Sequence, residues 1–132
     1  MPDHKRELMQ YRLETAKDRL HSSKVLLVDG SYKDSIGRSY YVMFTAVRAL
    51  LVMEGVDFSK HSAVIAYFQK EYIKTGIFEK KFSKYISQAF QIRNNADYAD
   101  FFIVSLQDAK EQYERAEEFL AVIEKYLEIK KD

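Results

Sequence analysis

A chain of 132 residues with a net charge of +1 has the length of one domain and no overall field to gather nucleic acid, so any phosphate-binding site must be local. It has no cysteine, which excludes disulfides, thiolate zinc sites and cysteine nucleophiles. The N-terminal MPDHKRELMQ lacks the apolar centre of a signal peptide and no run approaches the roughly 20 apolar residues of a membrane span, so the expectation is a soluble, cytoplasmic protein with no membrane partner.

Only four glycines and one proline, Pro2, punctuate the chain, so long helices can run unbroken. The first predicted helix covers about Lys5 to Val28, with Leu13, Ala16, Leu20, Ser23 and Leu27 on one stripe, and stops at Asp29-Gly30. The second, about Ser31 to Glu54, is apolar on several sides through Ile36, Tyr40, Met43, Phe44, Val47, Leu50 and Leu51, as a central buried helix is. Gly55 ends it. The third, about Lys60 to Lys74, carries Val64, Ile65, Phe68 and Tyr72 and breaks at Thr75-Gly76. The fourth, about Glu79 to Arg93, carries Phe82, Tyr85, Ile86, Ala89 and Ile92. The fifth, about Leu106 to Lys130, has a packing seam of Leu106, Ala109, Tyr113, Ala116, Leu120, Ile123 and Leu127. Ser105 and Asp108 have the spacing of a capping box at its start. The pattern predicts an all-α, up-and-down bundle of about five helices, one domain over 1–132.

The three histidines, His4, His21 and His61, form no HExxH motif and no i, i+4 pair, so no metal site is expected. His61 reads as an exposed or helix-start residue. No Gly-rich phosphate loop or GxSxG motif is present. Glu111, Glu114, Glu117 and Glu118 read as a solvated face with Lys110 and Arg115 as helical neighbours. On the second helix, Tyr40, Phe44, Val47 and Leu51 read as core. Arg38, Tyr41, Thr45 and Arg48 recur at helical spacing and share another face, an interface or the wall of a binding site.

The richest constellation is Arg93-Asn94-Asn95-Ala96-Asp97-Tyr98. An arginine can clamp a phosphate with two parallel donors, and asparagines add neutral donors and tolerate tight turns. If the stretch stays helical, Arg93 and Asp97 are i, i+4 and can simply pair. Both readings stand on the residues alone.

The succession "GSYKDSIGRSYYVMFTAVRALL", "KHSAVIAYFQKEYIKTG" and "RNNADYADF" resembles the HEPN domain family, in particular its small stand-alone prokaryotic members, over nearly the whole chain. The resemblance implies a helical bundle, a homodimer, and a toxin whose partner is a minimal nucleotidyltransferase antitoxin. Active members are metal-independent endoribonucleases without a cofactor. Their motif is an arginine, a polar residue, and a histidine after a gap of four to six residues. Arg93 matches the arginine and Asn94 the polar residue, but Tyr98 stands after the gap of four, Asp100 after the gap of six, and no histidine follows Arg93. The resemblance and the constellation together nominate Arg93, Asn94, Asp97 and Tyr98 for catalysis; Asn95 beside them and Arg38, Tyr41 and Arg48 on the shared face of the second helix are the expected RNA or nucleotide contacts. A phenol with a pKa of about 10 is a poor base at neutral pH, so slow or absent cleavage is the expectation. In some family pairs the antitoxin adenylylates a tyrosine near the motif, for which Tyr98 is the candidate. The alternative is a non-catalytic dimeric module that binds a nucleotide or a partner protein.

Overall fold

The structure, a computed structural model, describes residues 2–131, with side chains described for residues 4–128. The described residues form five α-helices and no strand: α1 (Pro2–Asp29), α2 (Tyr32–Val52), α3 (His61–Phe68), α4 (Lys80–Tyr98) and α5 (Leu106–Lys131). The all-α bundle expected from the sequence is the architecture found. None of these helices is long and apolar enough to cross a membrane.

Helix α1 stops where a backbone position with positive φ becomes necessary. Gly30 sits at φ 90°, its N–H bonds to the Leu27 carbonyl at 3.2 Å, and the Ser31 N–H reaches back to Leu26 at 2.9 Å. That pair of bonds satisfies the last carbonyls of the helix and favours glycine, which has no Cβ to clash. Gly55 repeats the arrangement after α2, with φ 71° and bonds from Gly55 to Val52 and from Val56 to Leu51. Helix α5 opens on the expected capping box. The Asp108 N–H donates to Ser105 Oγ at 3.0 Å and the Ser105 N–H donates to Asp108 Oδ2 at 3.3 Å.

Helix α2 is the buried centre and packs on all four other helices. Tyr40, Val42, Met43, Ala46, Val47, Ala49 and Leu51 have no or almost no exposure. It meets α1 through three buried serines. Ser23 and Ser39 hydroxyls lie 2.7 Å apart, and the Ser35 hydroxyl donates to the Ser23 carbonyl at 2.9 Å. Small side chains let the helices approach, and mutual hydrogen bonding removes the penalty of burying hydroxyls. The far end of the core is aromatic: Phe68, Tyr72, Phe78, Phe82 and Phe119 pack with ring centroids 5.5–6.0 Å apart.

Four details depart from the sequence expectation. Helix α3 passes into a π-helical turn at Gln69–Ile73, and the Gln69 amide ties it to α4 by donating to Ser83 and Ser87, both at 2.9 Å. Helix α4 does not end at Arg93 but continues to Tyr98, because Ala96 packs into a second apolar cluster with Ile36 and Ala109. Leu106, placed on the α5 seam by periodicity, is instead 54% exposed, and the fully buried Phe119 does much of the packing. Glu118 is not only a solvated charge, since it accepts from Lys81 and from the Tyr85 hydroxyl and so ties α5 to α4.

These contacts separate two magnitudes. Replacing Phe119 by Ala leaves a cavity and is expected to cost about 3–5 kcal/mol. Ser105→Ala loses only a helix cap, about 1 kcal/mol. Urea denaturation followed by circular dichroism measures both, and the Phe119 variant should unfold at clearly the lower concentration.

Candidate functional site

Arg93 lies one and a half turns before the end of α4, where its side chain is still 22% exposed. Its Nε lies 3.1 Å from Asp97 Oδ2, so the i, i+4 pair forms because the helix continues through it. An acid in the last turn of a helix is unfavourable against the helix dipole, and the Arg93 guanidinium offsets that. The guanidinium carbon lies 5.2 Å from the Tyr41 ring centroid and 5.7 Å from that of Tyr40, both on α2. One edge of the fork is held by Asp97 and its face by the aromatic rings. The two Nη atoms remain as donors, the geometry suited to a phosphate oxygen pair.

A histidine from elsewhere completes the group. His61, the first residue of α3, stacks on Phe44 with centroids 4.0 Å apart and planes at 22°. It also lies against Tyr40 and Tyr41 at 5.8 and 6.0 Å and against Phe90 at 6.4 Å. The Tyr40 hydroxyl is 2.7 Å from His61 Nδ1. Burial first, then the positive charges of Arg93 and Arg48, holds the His61 pKa below the ordinary imidazole value. Burial likewise pushes the Tyr40 phenol well above its ordinary range, against the opposing pull of Arg93, so it stays protonated.

The nominated residues therefore divide. Arg93, Asp97 and Tyr41 stand together, and Asn94 is half-buried beside them in the chain. Asn95 is exposed. Tyr98 is 80% exposed; five residues on from Arg93, it is turned by about 140° around the helix and does not share its face. Arg38 is exposed and makes no ion pair among the described residues. Arg48 lies about two turns beyond Tyr41 along the same strip of α2, where its Nη2 holds both oxygens of Asp57 at 3.1–3.2 Å. Arg12 joins that cluster, 3.5 Å from Asp57 and donating to the Arg48 carbonyl at 3.2 Å. Burial raises the Asp57 pKa, but Arg48 and Arg12 outweigh it and hold the carboxyl low. Sequence reasoning set His61 aside as a helix-start residue and took Tyr40 and Phe44 only as core. The contact that changes this reading joins residues far apart in the chain, and spacing gives no signal for it.

A family model described as HEPN domain matches residues 9–126. The chain belongs to the HEPN family. This HEPN chain is 35% identical over 124 residues to a protein from Thermotoga maritima named UPF0332 protein, a match covering 94% of each. It is 34% identical over 124 residues to the protein named "Putative toxin MJ0142" from Methanocaldococcus jannaschii, covering 94% of this chain and 84% of the relative. A second protein of that organism, "Putative toxin MJ0605", is 31% identical over 93 residues, covering 70% of this chain and 69% of the relative. Arg93, the arginine that the resemblance nominates, is the residue pinned by Asp97 and laid on Tyr40 and Tyr41.

The His61 environment has a measurable consequence. An unfolded imidazole titrates near pH 6.5. The folded one titrates lower, so acidification protonates the unfolded chain first. The His61 contribution to stability is then full above about pH 6.5 and lost as pH falls through the folded pKa. Histidine NMR titration should place His61 below the ordinary imidazole value of about 6.5. Arg93→Ala, which removes one depressing charge, should move His61 upward without restoring the full ordinary value, because burial remains.

Proposed function

We propose that this chain is a toxin-like HEPN protein of a toxin–antitoxin pair, a metal-independent endoribonuclease that acts on RNA through the Arg93 end of α4. Its partner in this reading is a minimal nucleotidyltransferase antitoxin, and it works as a homodimer. The observation that carries the proposal is the state of Arg93. The guanidinium is immobilised by Asp97 and by two aromatic rings, and its remaining donors are partly open to solvent. An exposed ion pair of this kind contributes less than about 1 kcal/mol to stability, so its precision answers a need for anion recognition better than a need for folding. The two relatives named as toxins support the same reading.

The homodimer is supported by what the α4–α5 connection exposes. Phe101 is 98% exposed, Ile103 85%, Tyr98 80% and Leu106 54%. A run of large apolar side chains open to water marks an interaction surface. In the single chain Tyr98 is also open to adenylylation, in which its phenol loses its proton, the oxygen attacks the α-phosphorus of a nucleoside triphosphate, and pyrophosphate leaves.

The second reading, a non-catalytic dimeric module that binds a nucleotide or a partner, is favoured by the placement of Tyr98. Standing where the motif has its histidine, Tyr98 does not share the face of Arg93 and cannot serve there as the base. Expression of the wild-type chain and of Arg93→Ala in a bacterial host separates the readings. The proposal expects slowed growth and RNA cleavage with the wild type and neither with the variant. Equal growth and intact RNA in both would sink it in favour of the module. The dimer is tested by light scattering on an Ile103→Asp variant, which should have the mass of a monomer with an unchanged circular dichroism spectrum. A wild type that is itself monomeric would overturn the dimer.

A further inference from the structure

We propose that His61, locked in one tautomer by Tyr40, is a neutral hydrogen-bond donor of the Arg93 site, and that its Nε2–H and the free Nη edge of Arg93 hold the same phosphodiester group of an RNA strand. The inference rests on the RNA reading above and adds a residue that the motif does not contain.

The argument begins with a proton. Tyr40 has no exposed surface, and among the described residues its hydroxyl has one partner, His61 Nδ1 at 2.7 Å. A buried hydroxyl that only accepted would leave its own hydrogen unsatisfied, a cost that native structures avoid. Tyr40 therefore donates and Nδ1 accepts. A neutral imidazole carries one N–H, so the proton sits on Nε2. Protonating the ring would turn Nδ1 into a donor and orphan the Tyr40 hydrogen.

The surroundings favour the same state. The groups facing His61 are Tyr40, Tyr41, Phe44 and Arg48 from α2 and Phe90 and Arg93 from α4; none is a carboxylate. His61 is also the first residue of α3, where the positive end of the helix dipole disfavours a cation. The stack on Phe44 at 4.0 Å fixes the ring plane. What remains is Nε2, which has no partner among the described residues on a side chain that is only half-buried.

The two donors belong to one place because both side chains lie against the same pair of rings. Arg93 sits 5.7 and 5.2 Å from Tyr40 and Tyr41, and His61 sits 5.8 and 6.0 Å from them. A cationic fork beside a neutral N–H matches a singly charged phosphodiester. It neutralises the charge once and satisfies a further oxygen without a second desolvated cation. His61 in this arrangement is a ligand-contact residue, and Tyr40 is its positioning residue.

The test uses the full chain and a 2′-O-methylated RNA hexamer, which binds but cannot be cleaved by its own 2′ oxygen. Calorimetry is expected to show His61→Ala weakening binding about tenfold, the loss of one hydrogen bond to a charged group. His61→Gln, whose amide N–H occupies the place of Nε2–H, should recover binding to within about threefold of the wild type. Imidazole ¹⁵N NMR of the wild type should find the proton on Nε2, and Tyr40→Phe should abolish that preference and weaken binding. A proton found on Nδ1, or His61→Ala binding as the wild type does while Arg93→Ala does not, overturns the inference and leaves the RNA reading standing. A wild type that fails to bind, or an Arg93→Ala variant that binds as well as the wild type, removes the RNA reading and this inference with it.

Discussion

The burial of α2 constrains everything around it. From Ser39 to Val52 its side chains are buried except for one narrow strip of Tyr41, Thr45 and Arg48, with Arg38 at the exposed end. A helix so enclosed can offer functional groups only along that strip, and the strip is used twice. Tyr41 receives Arg93 from α4, and Arg48 receives Asp57 from the connection after α2. The spacing of polar residues on an otherwise apolar helix thus decides where the molecule can present chemistry, before any individual contact is considered.

Tyr40 links that enclosure to the site. Its ring is core, packed on Phe44 and Phe90, while its hydroxyl is spent on His61. Polar groups in an aromatic environment are strongly bound or strongly penalised, since the low dielectric amplifies both outcomes. The Tyr40–His61 bond therefore fixes the imidazole more firmly than a surface hydrogen bond would. The same low dielectric keeps His61 neutral between two arginines. Arg93, by contrast, keeps its charge and pairs with Asp97 at a half-exposed position, where the pair adds little to stability. The site is rigid where it touches the core and open where it meets solvent.

The helices, their order and their core faces were legible in the sequence because periodicity reports burial directly. Gly30, Gly55 and the Ser105–Asp108 box marked ends because each meets a local backbone requirement. The end of α4 was misjudged, since an Asn-Asn pair favours a turn locally, whereas packing of Ala96 against Ile36 and Ala109 carries the helix on. The π turn at Gln69–Ile73 and the exposure of Leu106 are likewise outcomes of tertiary packing. Of the site, Arg93, Asp97 and Tyr41 could be singled out from residue type and spacing. His61 could not, because its role depends on α3 docking its first residue onto Phe44 and Tyr40, a contact encoded nowhere in local sequence.

The continuation of α4 also sets how the arginine relates to the apolar connection that follows. Arg93 and Tyr98 are separated by about 7.5 Å along the helix axis, and the chain then turns through Phe101, which holds φ 60° with its ring almost wholly in water. A bulky residue in the left-handed region costs about 1–2 kcal/mol, and the exposed ring recovers none of it within this chain. Such a conformation is better supported when the ring is covered from outside. A second copy docked on Phe101 and Ile103, as in the homodimer proposed above, would do that. The strain in the connection and the exposure of its apolar side chains are then two aspects of one arrangement, and both fit that homodimer.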